Sequence, residues 1–95
     1  MPPTLRAVRF EEGFYTQARA LVTDPAQLQI LLHNAEFFIQ RRPDRGKPVG
    51  DGYWFFVIFI QGTPRNFSVF YSYDEYRVRL FGIIERPRDY RFLIL

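Results

Sequence analysis

Residues 53–85 read YWFFVIFIQ (53–61), GTPRN (62–66), FSVFYSY (67–73), DE (74–75) and YRVRLFGIIE (76–85). Runs rich in β-branched and aromatic residues, each of strand length and separated by short loops, predict an antiparallel meander. In the first run Tyr53, Phe55, Val57 and Phe59 fall on one face, and Trp54, Phe56, Ile58 and Ile60 on the other. Both faces are apolar. Such a strand belongs inside a sheet, with helices over one side and a partner or further chain over the other. The second run sets Phe67, Val69, Tyr71 and Tyr73 opposite Ser68, Phe70 and Ser72, so it has a wetter face. In the third, Arg77 and Arg79 alternate with Val78 and Leu80 before Phe81, Ile83 and Ile84, which predicts a solvated start and a buried end. Pro64, which fixes its own φ and lacks the donor a ladder needs, and the pair Asp74-Glu75 mark the reversals.

Upstream, Thr4–Phe10 reads as a short first strand, and Arg6 and Arg9 suit an edge where charge discourages further pairing. Glu11 and Glu12 then place negative charge at the start of a helix reaching about Val22, with Phe14, Ala18, Leu21 and Val22 as its buried stripe. Asp24 is a capping residue, Pro25 fits the first helical position and Gln27 has capping-box spacing. A second helix is therefore expected from Pro25 to about Gln40. Leu28, Leu31, Leu32, Ala35, Phe38 and Ile39 recur at helical spacing and should face the sheet. Ile30 and Phe37 lie on roughly the opposite side, with His33 between them. They mark either a face shielded by the neighbouring helix or a partner interface. Residues 41–52, RRPDRGKPVGDG, read as a loop on their prolines and glycines. Beyond Glu85 comes a basic segment, Arg86 to Arg91, that contains Tyr90, and then the apolar Phe92–Leu95. That tetrad has three open readings: an added strand edge, a segment tucked on the sheet, or a partner-docking segment.

The expected architecture is α+β, in the order β-α-α-β-β-β, with two N-terminal helices packed on a mostly antiparallel four-stranded sheet. At 95 residues the chain is expected to form a single domain over 1–95. The absence of cysteine excludes disulfides, thiolate catalysis and Cys-based zinc sites, and a single histidine excludes a multi-histidine metal cluster. No metal or other cofactor is expected. No segment has the ~18 uninterrupted apolar residues of a membrane span, and MPPTLRAVRF has no signal-peptide pattern, so a soluble cytoplasmic protein without membrane contact is expected. The net charge of +3 is unevenly distributed: apart from Arg6, Arg9 and Arg19, every basic residue lies from Arg41 onward. This asymmetry suits an anionic partner, or an arginine coat that solubilises an apolar sheet. His33 has no cysteine nearby and no carboxylate partner in sequence, and the adjacent Asp74 and Glu75 would point to opposite faces of a strand. Neither supports a catalytic dyad or a carboxylate pair.

Two stretches carry a resemblance. AEFFIQRRPDRGKPVGDGYW (35–54) resembles the helix end, the Pro-spacer-Gly-Lys loop and the start of the second strand in the RelE/ParE superfamily of type II toxin-antitoxin toxins. FSVFYSYDEYRVRLFGIIERPRDY (67–90) resembles that family's aromatic strand, short acidic turn, final strand and basic tail with a tyrosine. The resemblance implies a compact toxin neutralised by a cognate antitoxin, with a homodimer as a further possibility for covering apolar surface. It implies action either on ribosome-bound mRNA, as in RelE-like members, or on DNA gyrase, as in ParE-like members.

For the RNA-cleaving branch, attack of a 2′-hydroxyl on the adjacent phosphate without a metal needs a proton acceptor, a proton donor and cations for the phosphorane. By resemblance, Arg86 or Arg88 occupies the position of a phosphate-stabilising arginine, and Tyr90 that of the C-terminal tyrosine, placed to stack on a base or to move a proton. Arg45, Lys47, Arg88 and Arg91 are the expected nucleic-acid contacts. The chain departs from the family's nucleases at Trp54 and Phe56, where they carry lysines, and at Ser68, where they carry an arginine. Arg65 is the candidate to replace that arginine. A binding module that keeps the fold without the chemistry is the rival reading, and a single-strand RNA binder stacking bases on Tyr71, Tyr73 and Tyr76 is a third.

Overall fold

The computed structural model describes residues 5–60 and 62–86. Tyr90, Arg88, Arg91 and the Phe92–Leu95 tetrad lie outside the described residues. The elements are β1 (Ala7–Phe10), α1 (Glu12–Leu21), α2 (Pro25–Arg41), a 3-10 turn (Pro43–Arg45), β2 (Lys47–Gly50), β3 (Tyr53–Phe59), β4 (Asn66–Tyr73) and β5 (Arg77–Glu85). The sheet order is β1-β5-β4-β3-β2, with β1 parallel to β5 and every other pair antiparallel.

The α+β class, both helices and the three-stranded meander are as expected. The expected sheet lacked one strand: Lys47–Gly50 is not loop but a short edge strand on β3. Breaker residues concealed it, and the edge position explains why they are tolerated. Pro48 stands opposite Trp54 in a strand that, among the described residues, has one neighbour, where a missing N–H need not interrupt a ladder. A bulge between Pro48 and Gly50 ends the pairing, and Gly50, Asp51 and Gly52 all adopt positive φ to turn the chain into β3.

The helices form as their end signals require. The Asp24 carboxylate accepts from the Ala26 amide at 2.9 Å, one residue short of the position a capping box uses, and Pro25 takes the first helical position. Both helices cover one face of the sheet, α1 against β5 and α2 against β1 and β3. Phe14 and Ala18 from α1, Leu31, Ala35 and Ile39 from α2, and Phe67, Val69, Tyr71, Val78, Leu80 and Ile83 from the sheet make the buried core. Trp54, Phe56 and Ile58 form the helix-facing side of β3, with Ile60 just beyond its end also buried, and Tyr53 and Phe59 stand exposed on its other side.

The expectation for β5 needs correction. Its start is not simply solvated, since Val78 and Leu80 are fully buried between the exposed Arg77 and Arg79. Its end is not simply buried, because Ile84 is 54% exposed. The reason is a bulge: Phe70 faces Gly82 while Tyr71 faces Leu80, so Phe81 is the extra residue and the inward phase shifts from Leu80 to Ile83. Tyr71 has no accessible surface, so it cannot act as a base-stacking platform, whereas Tyr76 is exposed.

Candidate functional site

The Pro43–Arg45 turn and β2 together build one wall of a cleft. Tyr71, rising from β4 through the core, donates its hydroxyl hydrogen to the Pro43 carbonyl oxygen and so fastens the turn to the sheet. Gly46 follows immediately. A Cβ there would lie 2.1 Å from the Tyr71 hydroxyl and 2.7 Å from the Phe55 carbonyl oxygen, so only glycine permits this approach. Burial pushes the Tyr71 phenol up to about 12 and keeps it a neutral donor over the physiological range. On the outer side of the turn Arg42 and Asp44 pair at 3.2 Å, a hydrogen bond that holds the Asp44 carboxyl below the usual carboxylate range. The turn thus presents Arg45 and then Lys47, both exposed.

The opposite wall is the end of β5, where the Arg86 amide donates to the Asn66 carbonyl at 2.9 Å. Between the walls lies a cleft of about 350 Å³ lined by Arg45, Lys47 and Arg86, with Phe38, Phe55, Phe56 and Val57 as its apolar floor. Phe38 and Phe56 stack at 4.8 Å between ring centroids, which ties the floor to α2. Phe55 and Arg86 also border a second, more apolar groove with Val49, Phe70 and Ile84.

Three of the residues expected from sequence, Arg45, Lys47 and Arg86, therefore line one cleft despite lying on separate elements. Arg65 does not line it. Its guanidinium grips both Glu85 oxygens, Nε at 2.9 Å and Nη2 at 2.8 Å, and donates at 2.6 Å to the Leu21 carbonyl. The Glu85 carboxyl is held below its ordinary range by that hydrogen bond. Ile30 and Phe37 are exposed on the outer side of α2, away from the cleft, with the Arg41 guanidinium 3.9 Å from the Phe37 ring centroid. Sequence reasoning missed Phe55 as the floor of the cleft, although the doubly apolar alternation of β3 was its signal. It also missed Glu85, which had none.

Cations over aromatic and aliphatic side chains are suited to a phosphodiester with an unstacked base. Among the described residues no group of His, Cys, Asp and Glu could hold a metal ion, and no helix is long and apolar enough to cross a membrane.

No family model and no curated protein matches the chain. Among solved structures it matches a chain in the crystal structure of the toxin-antitoxin complex RelBE2 from Mycobacterium tuberculosis, with TM-score 0.65 and 22% identity over 87% of this chain and 93% of that one. The chain has the RelE-like toxin fold.

Proposed function

We propose that this chain is the toxin of a type II toxin-antitoxin pair, held inactive by a cognate antitoxin and acting when released by cleaving mRNA on the ribosome. The observation that carries this reading is the convergence of Arg45, Lys47 and Arg86 on one aromatic-floored cleft, in a chain whose fold is found in a toxin-antitoxin complex. Bound there, the scissile phosphate meets cations from two walls, and the base beside it rests on Phe55. As the 2′-oxygen loses its proton and bonds to phosphorus, and the bond from phosphorus to the 5′-oxygen breaks with a proton going to that oxygen, charge grows on the non-bridging oxygens, and cations fixed in advance stabilise that charge more than the ground state. Tyr90, which the family resemblance places after the last strand, is the candidate for proton transfer or base stacking. The protein would act without a cofactor in the cytoplasm.

A second reading has its own support. The Arg65 guanidinium is committed to Glu85 and Leu21, and β3 lines the cleft with Phe55, Phe56 and Val57 rather than cations. A protein that grips its target without cutting, whether gyrase or another, needs no more than this. Tightly induced expression in a bacterial host, with growth followed and RNA 5′ ends mapped, separates the readings. New ends inside translated messages, lost in Arg86→Ala and Tyr90→Phe, support the nuclease. Arrest without new ends supports the second reading.

A further inference from the structure

Along β5 the side chains alternate regularly as far as Leu80: Arg77 and Arg79 are exposed, and Val78 and Leu80 are buried against the helices. Continued without interruption, that alternation would turn Ile84 and Arg86 toward the helices, and Ile83 and Glu85 toward the outer face of the sheet. The bulge at Phe81 reverses it. Ile83 is buried and Ile84 exposed, and the residues beyond them follow in the new phase. Glu85 stands opposite the buried Phe67. It borders the apolar groove, but both its carboxylate oxygens are held by Arg65, which also reaches the Leu21 carbonyl at the end of α1. Arg86 comes next, in the outward phase, and lines the cleft with Arg45 and Lys47. One extra residue therefore decides the sign of the charge that the end of β5 offers the cleft.

β1 pairs with β5 from Ala7 opposite Arg77 to Phe10 opposite Leu80. Beyond that point α1 takes over: Gln17 Oε1 accepts from the Ile83 amide at 2.9 Å. Gly82 makes room for this contact, since a Cβ there would lie 3.1 Å from Gln17 Oε1. Without the bulge each residue past Phe81 would shift by one place, and Gly82 rather than Ile83 would meet both Gln17 and the core. The burial of Ile83 and the bond to Gln17 thus select the same register.

We infer that the bulge sorts the two charges at the end of β5, Arg86 into the cleft and Glu85 away from it, and that Gln17 is a positioning residue that acts on Arg86 through the bulge. The inference rests on the reading of the cleft as the RNA site, and it names what gives that site its charge. In the other register a carboxylate would stand beside Arg45 and Lys47, where a phosphate is to bind.

The test measures binding of a short single-stranded RNA oligonucleotide by the full chain. Amide exchange at Ile83 and urea denaturation run alongside, at a temperature where each variant is folded. Gln17→Leu removes the acceptor at similar side-chain size. Exchange at Ile83 should quicken, and binding should weaken about threefold to tenfold. In an Arg86→Ala background the same change should have no further effect on binding, the non-additivity of one residue acting through another. Gln17→Glu, which keeps an oxygen at the same reach, should retain the protection of Ile83 and most of the binding. A second arm exchanges the charges, Glu85→Arg together with Arg86→Glu, at constant net charge. It should weaken binding about tenfold or more, because it places the carboxylate in the cleft.

Gln17→Leu that binds RNA as the parent does, or that loses the same factor with and without Arg86, overturns the positioning role. A charge-exchanged chain that binds like the parent overturns the sorting. In both cases RNA binding by the parent stands, and the proposed function with it. A parent chain that binds no RNA removes the reading of the cleft itself, and this inference falls with it.

Discussion

The buried hydroxyl of Tyr71 donates to the carbonyl oxygen of Pro43, joining the middle of the sheet to the turn that carries Arg45. This bond fastens the turn that carries one wall of the cleft. Tyr71→Phe should leave the Pro43 carbonyl without its donor and cost about 1–2 kcal/mol of stability, measured by urea denaturation. Binding of RNA should weaken alongside, because the turn loses its tether.

The same residue predicts behaviour in alkali. Burial raises the folded-state pKa of Tyr71 to about 12, above its ordinary value of 10.0. Below pH 10 the hydroxyl is protonated in both folded and unfolded chains, and its contribution is fully present. As pH rises from about 10 to 12 only the unfolded chain gives up the proton, so stability falls. One tyrosine should ionise late in an absorbance titration, and Tyr71→Phe should flatten the stability profile across that window.

Gly46 and Gly50 offer a contrast between two costs of adding a methyl group. Gly46→Ala forces a Cβ against the Tyr71 hydroxyl and the Phe55 carbonyl, and should destabilise by about 1–3 kcal/mol or displace the turn. Gly50→Ala meets no neighbour within 4 Å but must hold a φ of 105°, and should cost about 1 kcal/mol of backbone strain. Thermal unfolding of both variants checks the order.

Arg65 and Glu85 form a two-pronged pair that closes the loop between β3 and β4 onto the end of β5. Arg65→Ala should lower stability by about 1–2 kcal/mol, since it also strips the Leu21 carbonyl of its donor. If this role is structural, growth arrest should survive the substitution at a permissive temperature. The folded-state pKa of Glu85 is depressed, so the contribution of the pair is present above the ordinary value of 4.5 and lost as pH falls through the lower folded value. Glu85→Gln should therefore lessen the loss of stability in acid.

Much of this architecture is legible in the sequence, for reasons that particular residues make clear. β3 declares itself by apolar residues on both faces, and α2 by Asp24-Pro25 and its leucine spacing, because these are local signals. β2 stays hidden because Pro48 and Gly50 argue against a strand unless its edge position is known. The bulge at Phe81 inverts the exposure of Ile84 without leaving any mark in composition. The partner of Arg65 is 20 positions away, so an arginine suited to phosphate on sequence grounds proves to be tied to a carboxylate. Arg45, Lys47 and Arg86 could each be marked as basic from sequence, but only the sheet order places β2 and the end of β5 around a common cleft.

If that cleft holds a single strand of RNA, its cations should appear in the salt dependence. Arg45→Ala and Lys47→Ala should each weaken binding of an RNA oligonucleotide and reduce the slope of log K against log salt by about 0.7. Ile30→Ala and Phe37→Ala, on the outer side of α2, should leave both quantities unchanged.

The most direct test of the central claim is cleavage of a defined mRNA on purified, programmed ribosomes by the purified chain, with Arg86→Ala, Tyr90→Phe and ribosome-free RNA alongside. The account predicts a discrete cut within the translated frame, dependent on the ribosome and reduced about 100-fold or more in Arg86→Ala. An intact message in the presence of a folded, RNA-binding protein would contradict it and leave a protein that holds its target without cutting.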